Sequence, residues 1–273
     1  MVTTLSEAAV AVLNTAAPME KSRLTRAFAA DWREGRIAEL GNTLPPERPA
    51  RPEKPELRLP RDMPKRGRGG SAQNRINLLH ALAHIELNAI DLSWDIAVRF
   101  PHMDMPRGFI DDWVRVADDE ARHFAMLETR LNEMGAAYGD LPAHDGLWQS
   151  AVTTAEDLAA RLAIVPLVLE ARGLDVTPET VRRLRDVGDD ASADILQVIH
   201  DDEITHVAAG RHWFGHLCRR EGLDPVDHWQ ALVKRYFRGA LKRPFNIPSR
   251  LRADFGPEFY EPIAEDPGPP RIE

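Results

Sequence analysis

Apolar residues recur along most of the chain at the three- and four-residue spacing of an amphipathic helix, and the two-residue alternation of a half-buried strand is almost absent. The region from Ser6 to about Ile37 predicts one or two alanine-rich helices, with Ser6 as a candidate N-cap. Four longer helices are predicted at 72–100, 108–135, 147–174 and 189–220. A short helix starting at Thr177-Pro178 precedes the last of these, and a fifth helix follows from Pro225 to about Leu241. From 41 to 70 the periodicity disappears. Pro45, Pro46, Pro49, Pro52, Pro55, Pro60 and Pro64 interleave there with Arg48, Arg51, Lys54, Arg58, Arg61, Lys65, Arg66 and Arg68, which predicts an extended or mobile basic arm. The segment after 241 reads as a proline-rich tail.

Four long amphipathic helices with one longer middle connection meet the requirements of a ferritin-like bundle. The expected fold is therefore all-α: a ferritin-like four-helix bundle at 71–220, an N-terminal helical and proline-rich extension at 1–70, and a fifth helix with a tail at 221–273. Composition changes this picture little, with 43% hydrophobic and 29% charged residues. The net charge of −8 opposes a dedicated nucleic-acid role. A single cysteine, Cys218, allows no internal disulfide framework and fits a reducing compartment. The first residues lack a basic segment before an apolar run, so no signal peptide is expected. The apolar run 162–169 is too short to span a bilayer. A cytoplasmic location without membrane attachment is expected.

The chemistry lies in a repeated motif. Asp118-Asp119-Glu120-Ala121-Arg122-His123 and Asp201-Asp202-Glu203-Ile204-Thr205-His206 both read Asp-Asp-Glu-x-x-His. A Glu and a His three residues apart share one helix face and can converge on one ion. One such pair arises easily by chance, so its position decides its meaning. Glu120 and His123 fall within the stripe Phe109, Trp113, Val116, Phe124, Leu127, and Glu203 and His206 fall within Leu196, Ile199, Val207, Trp213, Leu217. An inward carboxylate without compensation is very costly, and a metal relieves the cost. The other two helices each supply one more inward acid, Glu86 and Glu170. Glu86 precedes Glu120 by 34 residues and Glu170 precedes Glu203 by 33, so the pattern is a twofold repeat. Four carboxylates and two imidazoles without a thiolate suit two ions of iron, or of manganese, better than zinc or copper. His80 and His84, spaced by four, face away from Glu86 and are read as exposed or interface histidines, as are His212 and His216. His200, one turn before Glu203, is a candidate supporting group. Pro166 should kink the third helix beside Glu170.

These residues resemble the di-metal carboxylate proteins of the ferritin-like superfamily, and Asp119-Glu120-Ala121-Arg122-His123 is similar to the form found in oxygen-activating members. The second copy has Thr205 where that form has Arg. Tyr138-Gly139-Asp140-Leu141-Pro142-Ala143-His144-Asp145-Gly146-Leu147-Trp148 and Glu170-Ala171-Arg172-Gly173-Leu174-Asp175 resemble a bacterial ferritin-like family of unknown function. The resemblance implies that Glu120 and Glu203 bridge two ions, that Glu86 with His123 completes one, and that Glu170 with His206 completes the other. Asp119 and Asp202 would then accept the second ring protons of the opposite motif's histidines.

Two functions share this ligand set. One is an O2-activating di-iron oxidase or monooxygenase acting on a small organic substrate with a separate electron donor; the other is a ferroxidase or iron-storage subunit. The extensions at both ends favour the enzyme, because a storage cage needs a compact bundle with repeating contact faces. A third reading, hydroxylation of a modified RNA base, would use the basic arm but is opposed by the net charge. A homodimer is the assembly considered.

Overall fold

The computed structural model describes residues 2–58, 62 and 70–265. Arg61, Lys65, Arg66 and Arg68 of the arm, with Pro60 and Pro64, lie outside the described residues, as do Pro267, Pro269 and Pro270 of the tail. The described chain is all-α, and its extended pairing is confined to the isolated bridges Thr4–Glu39, Leu57–Ala143 and Lys242–Glu265. It divides into two compact units, Met1–Val152 with Arg183–Ile195, and Thr153–Arg182 with Leu196–Glu273. No helix among the described residues is long and apolar enough to cross a membrane.

The first unit is built on α1 (Leu5–Leu13), α2 (Pro18–Arg33), α3 (Ala72–Arg99), α4 (Arg107–Glu133) and α5 (Gly146–Thr153). The N-cap of α1 is Thr4, not the expected Ser6. The Thr4 side chain accepts the Glu7 N–H while the Glu7 carboxylate accepts the Thr4 N–H, a reciprocal capping box. Ser6 lies inside the helix, where its hydroxyl accepts the Thr43 N–H. The free first-turn donors of Leu5 and Ser6 reach the carbonyls of Glu39 and Leu40. Ser71 caps α3, which ends at Arg99 because the residue before Pro101 disfavours helical geometry. α3 packs along α4, and α2 lies against α4. Their interface buries Leu79, Ala83, Ile90, Trp94, Trp113, Val116, Phe124 and Leu127 completely. Each side chain of this size contributes about 1.5–3 kcal/mol by leaving water.

The described part of the arm is extended, as expected. Leu44 and Leu57 are exposed, whereas Pro45, Pro49 and Pro55 are buried. Polar bonds hold it instead. Ala50 N–H donates to Leu13 O, Trp148 Nε1 to Glu47 O, and Arg99 to Pro46 O. Beneath the arm, Asp91 is fully buried between Arg51 of the arm and Lys21 of α2, whose Nζ lies 2.5 Å away. Arg51 also donates to Asn88 Oδ1 at 2.6 Å. Burial pulls the Lys21 ammonium below the usual lysine range, against the attraction of Asp91.

In the second unit the expected continuous third helix is broken. Asp157 caps a new helix, α6 (Leu158–Ile164), by accepting the Ala160 N–H. A π-helical segment, Val165–Glu170, follows, and then α7 (Ala171–Asp186). The anticipated distortion at Pro166 is thus a π segment. The helix expected to start at Thr177-Pro178 does not start there, because α7 runs through Pro178. That proline frees the carbonyl of Leu174 four residues earlier, and Asn246 Nδ2 donates to it at 3.1 Å. α8 (Asp190–Glu221) matches expectation, whereas α9 (Pro225–Tyr236) stops before residue 241. The tail is more than an irregular strap, since it contains α10 (Ile247–Arg252) and α11 (Pro257–Tyr260). Buried Arg250 fixes it by a two-pronged bond to Asp175, both contacts 2.8 Å, with its guanidinium 4.3 Å over the Tyr260 ring.

Removing the one acid from the Lys21–Asp91–Arg51 cluster strands the buried Lys21 and the half-buried Arg51, so Asp91→Asn should destabilise the protein by about 3–5 kcal/mol. Lys21→Met leaves Asp91 paired with Arg51 and should cost less. Urea unfolding of both variants checks the order.

Candidate metal centre

α3 and α4 bring Glu86, Glu120 and His123 together in the first unit. Glu86 sits on α3 in register with Leu79, Ala83 and Ile90, and the Glu120–His123 pair sits on α4 between Trp113 and Phe124, so core packing turns all three inward. Each is buried, and each offers one ligand atom within 4.8 Å of the others. His123 Nδ1 lies 3.4 Å from Glu86 Oε2 and 3.5 Å from Glu120 Oε2, so this ring nitrogen faces both carboxylates. Burial, and then the neighbouring Glu120 carboxylate, push the Glu86 carboxyl well above its usual range. Without a compensating cation the group favours a proton there. Two carboxylates and an imidazole converging in the buried interior are a donor set for a hard or borderline divalent cation.

The second unit holds the other copy. Glu203 and His206 are buried on α8, with His206 Nδ1 3.6 Å from Glu203 Oε2. Glu170 ends the π segment; it is half-buried, and its Oε2 is shielded from solvent. Among the supporting groups, Asp119 is half-buried and pairs with Arg122 at 3.2 Å and Arg115 at 3.8 Å. Asp202 is half-buried on α8. His200 is buried, its Nε2 3.2 Å from the Ser249 hydroxyl and its Nδ1 3.5 Å from Asp201.

The family model described as "Protein of unknown function (DUF455)" matches residues 14–261. The chain belongs to this family. A Haemophilus influenzae protein described as an uncharacterized protein is 38% identical over 253 residues, spanning 89% of this chain and 88% of its own. No solved structure matches the chain. The family match covers Glu86, Glu120, His123, Glu170, Glu203 and His206.

The loop from Tyr138 to His144, which carries much of the sequence resemblance, is clasped by α3. This corrects the expectation that His80 and His84 are exposed or interface residues, since both are buried. His80 Nε2 accepts the Gly139 N–H at 2.9 Å. His84 Nε2 lies 3.0 Å from the His144 carbonyl, which only accepts, so Nε2 carries the proton and Nδ1 accepts the Tyr138 hydroxyl at 2.8 Å. On the far side the loop pairs with the arm, Ala143 N–H donating to Glu56 O and Arg58 N–H to Ala143 O. A sequence signal for this cluster exists: His80, His84, Asn88, Asp91 and Asp95 form one polar stripe along α3 at spacings of four, four, three and four. By itself such a stripe reads as a solvated helix face; its burial comes from the loop and the arm that cover it.

Burial pushes the His84 imidazole down from 6.5 to about 4. A depressed folded pKa contributes stability that is fully present above the unfolded value and is lost as pH falls through the folded one. Metal-free protein should therefore lose stability as pH drops from 6.5 towards about 4. His84→Gln should be less stable at neutral pH but show a shallower loss across that window in denaturant titrations at each pH.

Proposed function

We propose that this chain is a di-metal carboxylate oxidoreductase that uses O2 to oxidise a small organic substrate, with iron as the metal and manganese as the alternative. The observation that carries the reading is the buried, convergent Glu86, Glu120 and His123 set; Glu203 and His206 repeat its Glu-x-x-His pair, and Glu170 would be the further acid of that second set. One ligand set per repeat gives two ions per chain. Asp119 and Asp202 would orient the histidines through hydrogen bonds, and His200 would support Glu203 from one turn away.

The donor chemistry favours iron or manganese over softer metals. The Cys218 thiol is buried and pushed up to about 11, which keeps it protonated and unsuited to ligation at neutral pH. When bound, iron in such a carboxylate-rich field supplies access to higher oxidation states for O2 chemistry. The protein's own residues do the rest. Trp113, Val116 and Phe124, buried on the same helix as Glu120 and His123, would help keep water from the first set, and His123 presents Nδ1 towards the carboxylates.

Enzyme chemistry is preferred to iron storage because both extensions are built into the body of their own units: the arm through Arg51 and Asp91, the tail through Arg250 and Asp175. The RNA reading gains no support from the described part of the arm, where Arg48, Arg51 and Arg58 pair with Asp145, Asp91 and Glu56.

Protein purified without chelator should carry about two iron or manganese ions per chain by elemental analysis. Glu120→Ala and Glu203→Ala should each lower that content, and chelation should lower the melting temperature, since the metal binds the native state. The ferrous protein should consume O2 while remaining a small assembly on size-exclusion chromatography. Loading of hundreds of irons into a large shell would replace the enzyme by storage, and absence of transition metal would end the proposal.

A further inference from the structure

The π segment and α8 meet at a contact that no ligand argument requires. A Cβ built on Gly210 would lie 2.4 Å from Pro166 Cβ and 2.5 Å from Pro166 Cγ, far inside van der Waals distance, and 3.8 Å from Leu167 Cδ2. The Pro166 ring therefore occupies the space that any other residue at 210 would fill. The position of each partner is telling. Gly210 lies seven residues after Glu203 and four after His206, on the same stripe of α8, and Pro166 lies four residues before Glu170. The contact thus sits about one helical turn from the ligands on both elements. Within the π segment the Ala171 N–H donates to the Pro166 carbonyl five residues back, closing the wide turn that contains Glu170. One residue more than an α-turn rotates the succeeding side chains by about 100°. The register of this turn decides which way Glu170 points.

We propose that Pro166 seated against Gly210 locks the π register and so aims the Glu170 carboxylate, making Gly210 and Pro166 positioning residues for the second metal-ligand set. The inference rests on the metal-binding reading above. Gly210 supplies the cavity, Pro166 fills it, and the missing proline N–H leaves the turn free to widen. α6 and α7 continue on either side, so the distortion is confined to the six residues that end in Glu170.

The test is Co²⁺ titration of full-length metal-free protein, followed by visible absorption and elemental analysis. Gly210→Ala should weaken one of the two ions by about 10- to 100-fold and change the Co²⁺ spectrum, leaving the other ion as in wild type. Pro166→Ala, which adds no bulk, should weaken the same ion and decides the matter if Gly210→Ala does not fold. In a Glu170→Ala background neither substitution should cause further loss, because both act through that carboxylate. Gly215→Ala on the same helix meets only the movable ends of Arg211 and Arg219 and should leave both ions unchanged. Wild-type binding in both Gly210→Ala and Pro166→Ala, or losses that add in full to that of Glu170→Ala, would overturn the lock while leaving the metal reading intact. Wild-type protein that takes up no Co²⁺ would instead remove the metal reading and the lock with it.

Discussion

Taking a carboxylate out of water costs several kcal/mol unless a cation or donors replace the solvent, and α3 does this on two faces at once. One face carries Glu86 against Glu120 and His123 of α4. The other carries Asp91 and Asp95, with His80, His84 and Asn88 along the same row. The two faces are balanced differently. Asp91 meets Lys21 and Arg51, and Asp95 meets Arg99, so protein groups neutralise that stripe outright. On the Glu86 face the Glu86 and Glu120 carboxyls stand beside the His123 imidazole, and Glu86 is driven well above its usual pKa. A buried cluster of acids and an imidazole, on a helix whose other face pairs its acids with cations, is the physical basis for proposing a metal there.

The proline-rich segments gain their order from the same polar accounting. They cannot form helical ladders, so their carbonyls are available to others: Pro46 O takes Arg99, Glu47 O takes Trp148, and Lys242 O and Pro244 O take Arg172. The exchange also runs the other way. Pro178 strips α7 of a donor, and Asn246 of the tail replaces it at Leu174 O. Irregular chain is thereby incorporated into each unit as a hydrogen-bonding complement to the helices, consistent with the rule that buried backbone groups find partners.

The two repeats of the ligand pattern are not structural copies. Glu86 sits in an uninterrupted α-helix of 28 residues, whereas Glu170 closes a six-residue π segment behind a proline. Insertion of a wide turn alters the direction of the Glu170 side chain without altering its sequence neighbourhood, which makes the two related halves of the pattern unequal.

Much was legible in the residues alone. The helices 72–99, 107–133 and 190–221 follow from apolar periodicity and caps, because a long amphipathic pattern leaves few alternatives. The burial of Glu86, Glu120, His123, Glu203 and His206 was legible for the same reason: each falls in register with an apolar stripe. Other features depended on contacts distant in sequence. Whether Thr4 or Ser6 caps α1 turns on residues 39–43, which recruit Ser6. The polar stripe from His80 to Asp95 is buried only because Lys21, Arg51 and the Tyr138 loop arrive to match it. Pro178 reads locally as a helix start, and α7 runs through it because Asn246 takes up the Leu174 carbonyl that it frees. The π segment depends on a glycine 44 residues after the proline it accommodates, counted from 166 to 210. Local pattern determines which faces seek burial, and tertiary structure decides what meets them, since a buried polar group's energy is set by its partner rather than by its neighbours in the chain.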